Sequence, residues 1–419
     1  MDQGQALARP ILEWPREGYS RAPFRVYHDP DIYVREQERI FRGPVWHYLA
    51  LEAELPDPGD FKSTFIGDTP VVVTRDRDGV LHGFVNRCAH RGSLVCLEQS
   101  GKDRKRFTCV YHAWSYDLQG NLTNAAFRHG VRGEGGLPKD FEPSQHGLQK
   151  LRVDRFCGII FGTLSNAAES LDDYLGPAAK TGIQRTMNRP IRVLGYDSQI
   201  IHANWKTYHE NTRDSLHANI LHTFFGTFGV SRHSQEAGIA MDPRGRHFYV
   251  FTKRGTESDT TDYDKTAASL RSVKPEFSLQ DPSILQWRDE FGDGCSIHIT
   301  TMFPTFVVHQ VQHSLGVRQL IPRGPECCEL IFTYFGFADD SAETTNTRLM
   351  HINATGSAGL VSMEDGAVCE FVNRGTAGSG DAASFMEMGG RDLDSSGTTK
   401  LSERPLRNFW NVYRTMLEL

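Results

Sequence analysis

Two short segments that each offer one thiol and one imidazole constrain this chain more than anything else in it. They are Cys88-Ala-His90 and, eighteen residues further on, Cys109-Val-Tyr-His112. Two cysteines and two histidines in that order match the needs of a Rieske-type [2Fe–2S] cluster, with thiolates on one iron and imidazoles on the other. A structural zinc site is the alternative, because Cys₂His₂ also suits tetrahedral zinc. Zinc sites usually pair like with like, whereas here each loop mixes the two donor types. Whatever the metal, the fold must bring two loop tips to one point.

The surrounding sequence supplies such loops. Val71 to Thr74 runs into Asp78-Gly79 and out again through Val80 to Val85, the pattern of a hairpin with a tight turn. Trp114-Ser-Tyr116 leads to Gly120-Asn121, a second hairpin signal. Tyr111 and Trp114 stand beside the second ligand pair, where they can shield a cluster or simply pack.

A second constellation lies downstream. Asn204-Trp205-Lys206 is followed by Glu210-Asn211 and then by Asp214, His217 and His222. Asp214 and His217 are three apart, so on a helix they share a face. His217 and His222 are about 140° apart on an ideal helix and can meet at one metal only where the helix ends or distorts. Two histidines and one carboxylate with open positions form the facial triad of non-haem Fe(II) oxygenases. A third ligand is therefore needed, and Ser362-Met-Glu-Asp365 offers Asp365, with Glu364 as competitor. Spacing alone does not separate the two acids.

Together these residues resemble the large (α) subunit of a Rieske non-haem iron ring-hydroxylating oxygenase, in the group acting on terephthalate, salicylate and anthranilate. Asn86 to Gly92, Cys109 to Tyr116, Val317-Arg-Gln319 and Gly359 to Gly366 carry the likeness, which spans nearly the whole chain. The resemblance implies that Cys88, His90, Cys109 and His112 hold the cluster and that His217, His222 and Asp365 hold a mononuclear Fe(II). It assigns Asp214, with Asn211 nearby, to the link between a cluster histidine of one subunit and an iron histidine of its neighbour. It makes Arg318 the anchor of a substrate carboxylate, since a guanidinium binds carboxylate bidentately. Counting back from Arg407 to Trp410, a second carboxylate-binding arginine of the terephthalate oxygenases falls on Lys400, which keeps the charge and loses the fork. Phe224 and Phe225, with Phe228, are candidates for an aromatic pocket or for core packing.

The implied fold is α+β: an all-β Rieske domain inserted in a catalytic domain whose antiparallel sheet is flanked by helices, a helix-grip-like arrangement. We expect residues 1–42 and 156–419 to form the catalytic domain and 43–155 the Rieske domain. The implied partners are an aromatic carboxylate and O₂, a reductase with or without a ferredoxin drawing on NAD(P)H, and a small β subunit in an α₃β₃ hexamer, or an α₃ trimer. Two rival classes are a Rieske electron carrier without oxygenase chemistry and a zinc-stabilised binding module. The first has no use for His217, His222 and a distant aspartate.

The chain's 419 residues can bury a substantial core, and 46 basic against 52 acidic side chains give no nucleic-acid signature. No signal-peptide pattern or apolar run of membrane-spanning length is evident, so free thiols and a cytoplasmic location are expected. Asp29-Pro30 reads as a capped helix start, ending by Gly43-Pro44. Phe303 to Leu320 reads as β-rich, with Phe306, Val308, Gln310 and Gln312 on one face. Lys253 to Lys274 and Ala377 to Arg404 read as loops or lids. Phe409 to Leu417 has the spacing of an amphipathic terminal helix.

Overall fold

A computed structural model describes residues 12–257, 261–394 and 397–419. The chain divides into two compact units, Phe41–Tyr174 with Ile191–Val193, and a larger one made of the described residues up to Ile40 with Leu175–Pro190 and Leu194–Leu419.

The smaller unit contains three antiparallel sheets. Strands β2 (Phe61–Ile66), β3 (Thr69–Arg75), β4 (Leu81–Val85) and β5 (Ser100–Gly101) form one, in the order β4-β3-β2-β5. Strands β6 (Phe107–Thr108), β7 (Ser115–Tyr116) and β8 (Leu122–Asn124) form the second. Both expected hairpins are present, with Gly79 (φ 79°) and Gly120 (φ 80°) supplying the left-handed turn residues. The third sheet explains why this unit runs past residue 155. Strand β10 (Ile159–Thr163) pairs with both β9 (Arg152–Phe156) and the distant β1 (His47–Leu51). Phe61, Val72, Phe84, Phe107, Trp114 and Tyr116 pack a core that also buries Cys88 and Cys109.

In the larger unit, helix α1 (Pro30–Glu36) starts as expected: the Asp29 carboxylate accepts from the backbone N–H of Asp31 at 2.8 Å. Helix α2 (Leu171–Thr186) is broken at Gly176, φ 61°, just before Pro177. A seven-stranded sheet is assembled from β11 (Ile191–Ile201), β12 (Gln235–Met241), β13 (His247–Glu257), β14 (Cys295–Met302), β15 (Phe306–Val311), β16 (Ser314–Pro322) and β17 (Cys328–Phe337). Its order is β11-β17-β16-β15-β14-β13-β12, antiparallel from β12 to β17. Helices α3 (Trp205–Arg213), α4 (Ala218–Leu221), α5 (Thr223–Phe228), α6 (Thr261–Ala267), α7 (Ala342–Thr355), α8 (Leu360–Thr376) and α9 (Arg404–Leu417) complete it. The terminal helix buries Phe409, Trp410, Tyr413 and Leu417, as its spacing requires.

Two expectations change. The run from Phe303 is a tight hairpin: Val311 pairs with Ser314, and Gln312 (φ 53°) occupies the turn instead of continuing the face of Phe306, Val308 and Gln310. Of the polar stretch from Lys253, the first part extends β13 to Glu257 and Thr261–Ala267 is helical, while residues 258–260 lie outside the described residues. Ala377 to Glu403 has no helix or strand among its described residues, Arg404 opens α9, and 395–396 lie outside the described residues.

Candidate metal centres and the adjoining cavity

In the smaller unit the two ligand loops have the same construction. The Gly92 N–H donates to Cys88 O at 2.9 Å and the Ala113 N–H to Cys109 O at 2.9 Å, closing each loop just past its histidine. Gly92 (φ 74°) and Ala113 (φ 54°) both lie in the left-handed region that such a reversal needs. The loops set the rings of His90 and His112 4.5 Å apart, centroid to centroid. The cysteines are buried and His90 is exposed, so sulfur lies inward and imidazole outward.

Burial alone would raise the Cys109 pKa, but the N–H groups of Tyr111 and His112 outweigh it and favour the thiolate, the ligand form. The Tyr116 hydroxyl lies 3.3 Å from Cys88 Sγ and accepts from the Ala89 N–H at 3.1 Å. Trp114 is buried and stacks on His90 at 5.0 Å with a 9° interplanar angle, whereas Tyr111 touches His112 with an exposed ring. Two thiols inside and two converging imidazoles outside suit a Rieske cluster.

In the larger unit α3 ends at Arg213, and Asp214 is extended (φ −79°, ψ 104°) as its C-cap. Asp214 therefore does not share a helix with His217. The contact survives through the turn, with Asp214 Oδ2 3.7 Å from His217 Nδ1, beyond hydrogen-bond range and electrostatic in character. His217 precedes α4, and His222 is the extended residue (φ −81°, ψ 108°) between α4 and α5. That break supplies the distortion required by five-residue spacing.

Asp365, on the buried face of α8, meets both rings: its Oδ1 lies 3.5 Å from His217 Nε2 and 3.3 Å from His222 Nε2. One ligand atom from each of the three lies within 4.8 Å of the others. Donors bound about 2.1 Å from one metal at near-octahedral or tetrahedral angles stand about 3–3.5 Å apart, so two nitrogens and a carboxylate here suit a divalent ion. Glu364 takes a different part. Its Oε2 accepts from His222 Nδ1 at 2.9 Å, which fixes the proton on Nδ1 and leaves Nε2 free for a metal. Asn211 Nδ2 donates to Asp365 Oδ1 at 3.1 Å.

The electrostatics suit a cation. Burial opposes a charge on His217, but Asp214 and Asp365 outweigh it and lift the pKa to about 10. Burial would raise Asp365, yet His222, His217 and Arg318 hold it far below the carboxylate range.

A cavity adjoins this triad. Its helical side carries Asn211, Asp214, His217, His222, Phe225 and Asp365; its sheet side carries Val250, Thr252, Ile297, Ile299, Val311 and Arg318. Phe225 packs edge-on against His222 at 5.1 Å. Phe224, one residue and about 100° away on the helix, does not line the cavity and packs against Phe225 and Phe228, in one cluster with Val230. Arg318 is buried, donates to the Tyr208 hydroxyl at 3.1 Å and feels the charge of Asp365, with no carboxylate within ion-pair distance among the described residues. Lys400 also reaches the cavity. It is buried without an acidic partner among the described residues, donates to Arg232 O at 3.0 Å, and is pushed down to about 8 by burial. Sequence reasoning missed Tyr208, although it sits three residues before Asn211 and so on the same face of α3.

Residues 177–419 match the ring hydroxylating alpha subunit (catalytic domain) family, and residues 45–132 match the Rieske [2Fe-2S] domain. The chain is 46% identical over 406 residues to the alpha 2 subunit of the terminal oxygenase component of terephthalate 1,2-dioxygenase from a Comamonas species, covering 96% of this chain and 97% of that one. It is 44% identical to the large subunit of anthranilate 1,2-dioxygenase from Burkholderia cepacia, covering 97% and 95%. Among solved structures it is similar to naphthalene 1,2-dioxygenase from a Rhodococcus species bound to indole, with a TM-score of 0.76, 20% identity and coverage of 95% and 94%.

Proposed function

The chain belongs to the ring-hydroxylating alpha-subunit family, and on that premise we propose that it hydroxylates the ring of an aromatic carboxylate as the large subunit of a terminal oxygenase. Cys88 and Cys109 would hold one cluster iron, His90 and His112 the other, and His217, His222 and Asp365 the mononuclear Fe(II). When bound, the cluster supplies electrons one at a time and the mononuclear iron supplies the centre for oxygen chemistry.

The protein's own residues do the rest. Glu364 orients the His222 ring, and Asn211 orients the Asp365 carboxylate. Phe225 and the apolar strand residues give an aromatic ring a dry wall. Arg318 binds the substrate carboxylate, and Lys400 offers a second positive group to a second anionic substituent. The observation that carries the reading is Arg318 itself: a buried guanidinium in the cavity beside the triad, which feels the charge of Asp365 but whose direct partner is the Tyr208 hydroxyl, with no carboxylate within ion-pair distance among the described residues. A buried guanidinium whose only direct hydrogen bond among the described residues is to a phenol keeps donors in reserve, and an anionic ligand is their natural complement.

The contact with His217 supports Asp214 as the bridge to a cluster histidine of a neighbouring subunit. A concave surface lined by Glu210, Asp214, Ile220, Leu221 and Val368 opens beside it. Electrons come from a reductase, with or without a ferredoxin. The relatives' naming as alpha or large subunits supports a second, smaller subunit; the assembly we propose is an α₃β₃ hexamer with it, or an α₃ trimer without it. No helix among the described residues is long and apolar enough to cross a membrane, and we place the protein in the cytoplasm.

Single turnover tests the reading: the reduced protein is given O₂ with terephthalate, salicylate, anthranilate or benzoate, and products are identified by mass spectrometry. A ring-hydroxylated acid is expected from at least one. No product from any of them, with cluster absorbance and mononuclear iron intact, would sink the substrate class.

A further inference from the structure

His309 occupies the middle of β15, between β14 and β16, paired with Ile299 on one side and Gly316 on the other. Directly paired residues share a sheet face. His309 therefore belongs to the face of Ile299, Val311 and Arg318, three residues of the cavity wall, and lies diagonally from Arg318, behind the lining and next to its anchoring arginine. The glycine opposite makes room for the ring: a Cβ on Gly316 would come within 2.7 Å of His309 Cε1 and 3.1 Å of Nε2. The imidazole packs edge-on against Phe332 and Tyr334, at 6.1 and 6.2 Å between centroids. Phe332 also carries the Arg318 guanidinium, 5.3 Å above its centroid.

Two polar atoms in this neighbourhood are buried without a hydrogen-bond partner among the described residues, His309 Nδ1 and Arg318 Nε. Native interiors seldom leave such atoms orphaned unless a ligand or a functional demand accounts for them. Burial, reinforced by the charge of Arg318, keeps the imidazole neutral, so it can present an N–H as Arg318 Nε does. In the Nδ1–H tautomer of His309, two donors on one wall lack one kind of partner, an oxygen acceptor.

We propose that His309 is a specificity-determining residue of this cavity, its N–H donating together with the Arg318 guanidinium to the carboxylate of the aromatic acid. This rests on Arg318 as the carboxylate anchor. It adds a neutral second donor that reads where the oxyanion lies, supplied by the sheet instead of by the metal-bearing helices.

The test measures dissociation constants of terephthalate, anthranilate and salicylate, and of their uncharged ring amides, by anaerobic calorimetry on the reduced holoprotein. His309→Leu removes the donor and keeps an apolar side chain. The expected result is binding about tenfold weaker for the acid that binds best, the loss typical of a hydrogen bond to a charged group, with the amides shifted far less. His309→Asn, which restores an N–H, is expected to recover most of the loss. Equal loss for acids and amides, or no loss for acids, overturns the proposal. If His309→Leu does not retain its iron and cluster, His309→Phe carries the same comparison. Arg318→Gln separates the two claims. Acid binding unchanged in that variant refutes the carboxylate reading itself, whereas loss there with none in His309→Leu refutes only the role of His309.

Discussion

Glu36→Gln should loosen the helix that positions the mononuclear site. Glu36 ends α1 and Lys206 is the second residue of α3; both side chains are fully buried, with Nζ 2.5 Å from Oε1. The Trp205 indole donates to Oε2 at 2.8 Å and the Tyr413 hydroxyl to Oε1 at 2.5 Å. Burial already depresses the Lys206 pKa, and the Glu36 carboxylate works against that depression. Glutamine keeps an acceptor but removes the counter-charge. Breaking a buried pair from one side costs about 3–5 kcal/mol, because the remaining charge is uncompensated.

The assay is urea unfolding followed by near-ultraviolet dichroism, with mononuclear iron counted after each step, since α3 carries Asn211 and ends at Asp214. A lysine whose folded pKa lies below its unfolded one binds fewer protons in the native state. The variant should therefore gain stability as pH rises toward the ordinary lysine range. Adding Lys206→Met should recover most of the loss. A single-variant cost under about 1 kcal/mol, or a double variant less stable than the single, would refute the reasoning.

Three further outcomes are expected. Burial lifts Glu210 to about 7 despite donors from Tyr27 and Trp410. An acid raised this way destabilises the fold as pH climbs from about 4.5 to about 7, by about 3 kcal/mol in full. Glu210→Gln should flatten that slope in unfolding midpoints compared at pH 5 and pH 8, and an unchanged slope would refute the assignment. Tyr116→Phe removes the hydroxyl beside Cys88 Sγ and should lower the cluster potential by about 60 mV or less in protein-film voltammetry, about 1.4 kcal/mol for one electron. A rise in potential would contradict this. Asp365→Ala should cut mononuclear iron to about a tenth or less by metal analysis while the visible cluster spectrum persists, a 10–100-fold loss of affinity being the least expected; a variant that keeps its iron would exclude Asp365 as a ligand.

What could be read in advance followed the distance over which each signal acts. The cluster loops were legible because each donor pair lies within four residues and Asp78-Gly79 and Gly120-Asn121 mark their own turns. His217 and His222 could be nominated, but choosing between Glu364 and Asp365 needed three dimensions. Adjacent residues on α8 reach opposite nitrogens of one imidazole, so both are near the site and only one faces its centre. The β15–β16 turn was hidden because both strands are buried throughout, which leaves periodicity nothing to alternate against. The pairing of β1 with β10 joins segments over a hundred residues apart. Nothing local distinguishes His309 among seventeen histidines; its interest comes entirely from strand register.

The cavity is built in two halves of different origin: the helices and the turns between them hold the candidate metal ligands, and one face of the sheet holds an apolar wall and Arg318. If the cavity holds the ring as proposed, point changes at Val250, Ile297, Ile299, Val311 or Arg318 would reshape the accepted ring while every candidate iron ligand keeps its own scaffold. A lineage of such enzymes can explore new acids one strand position at a time without first losing its oxidant.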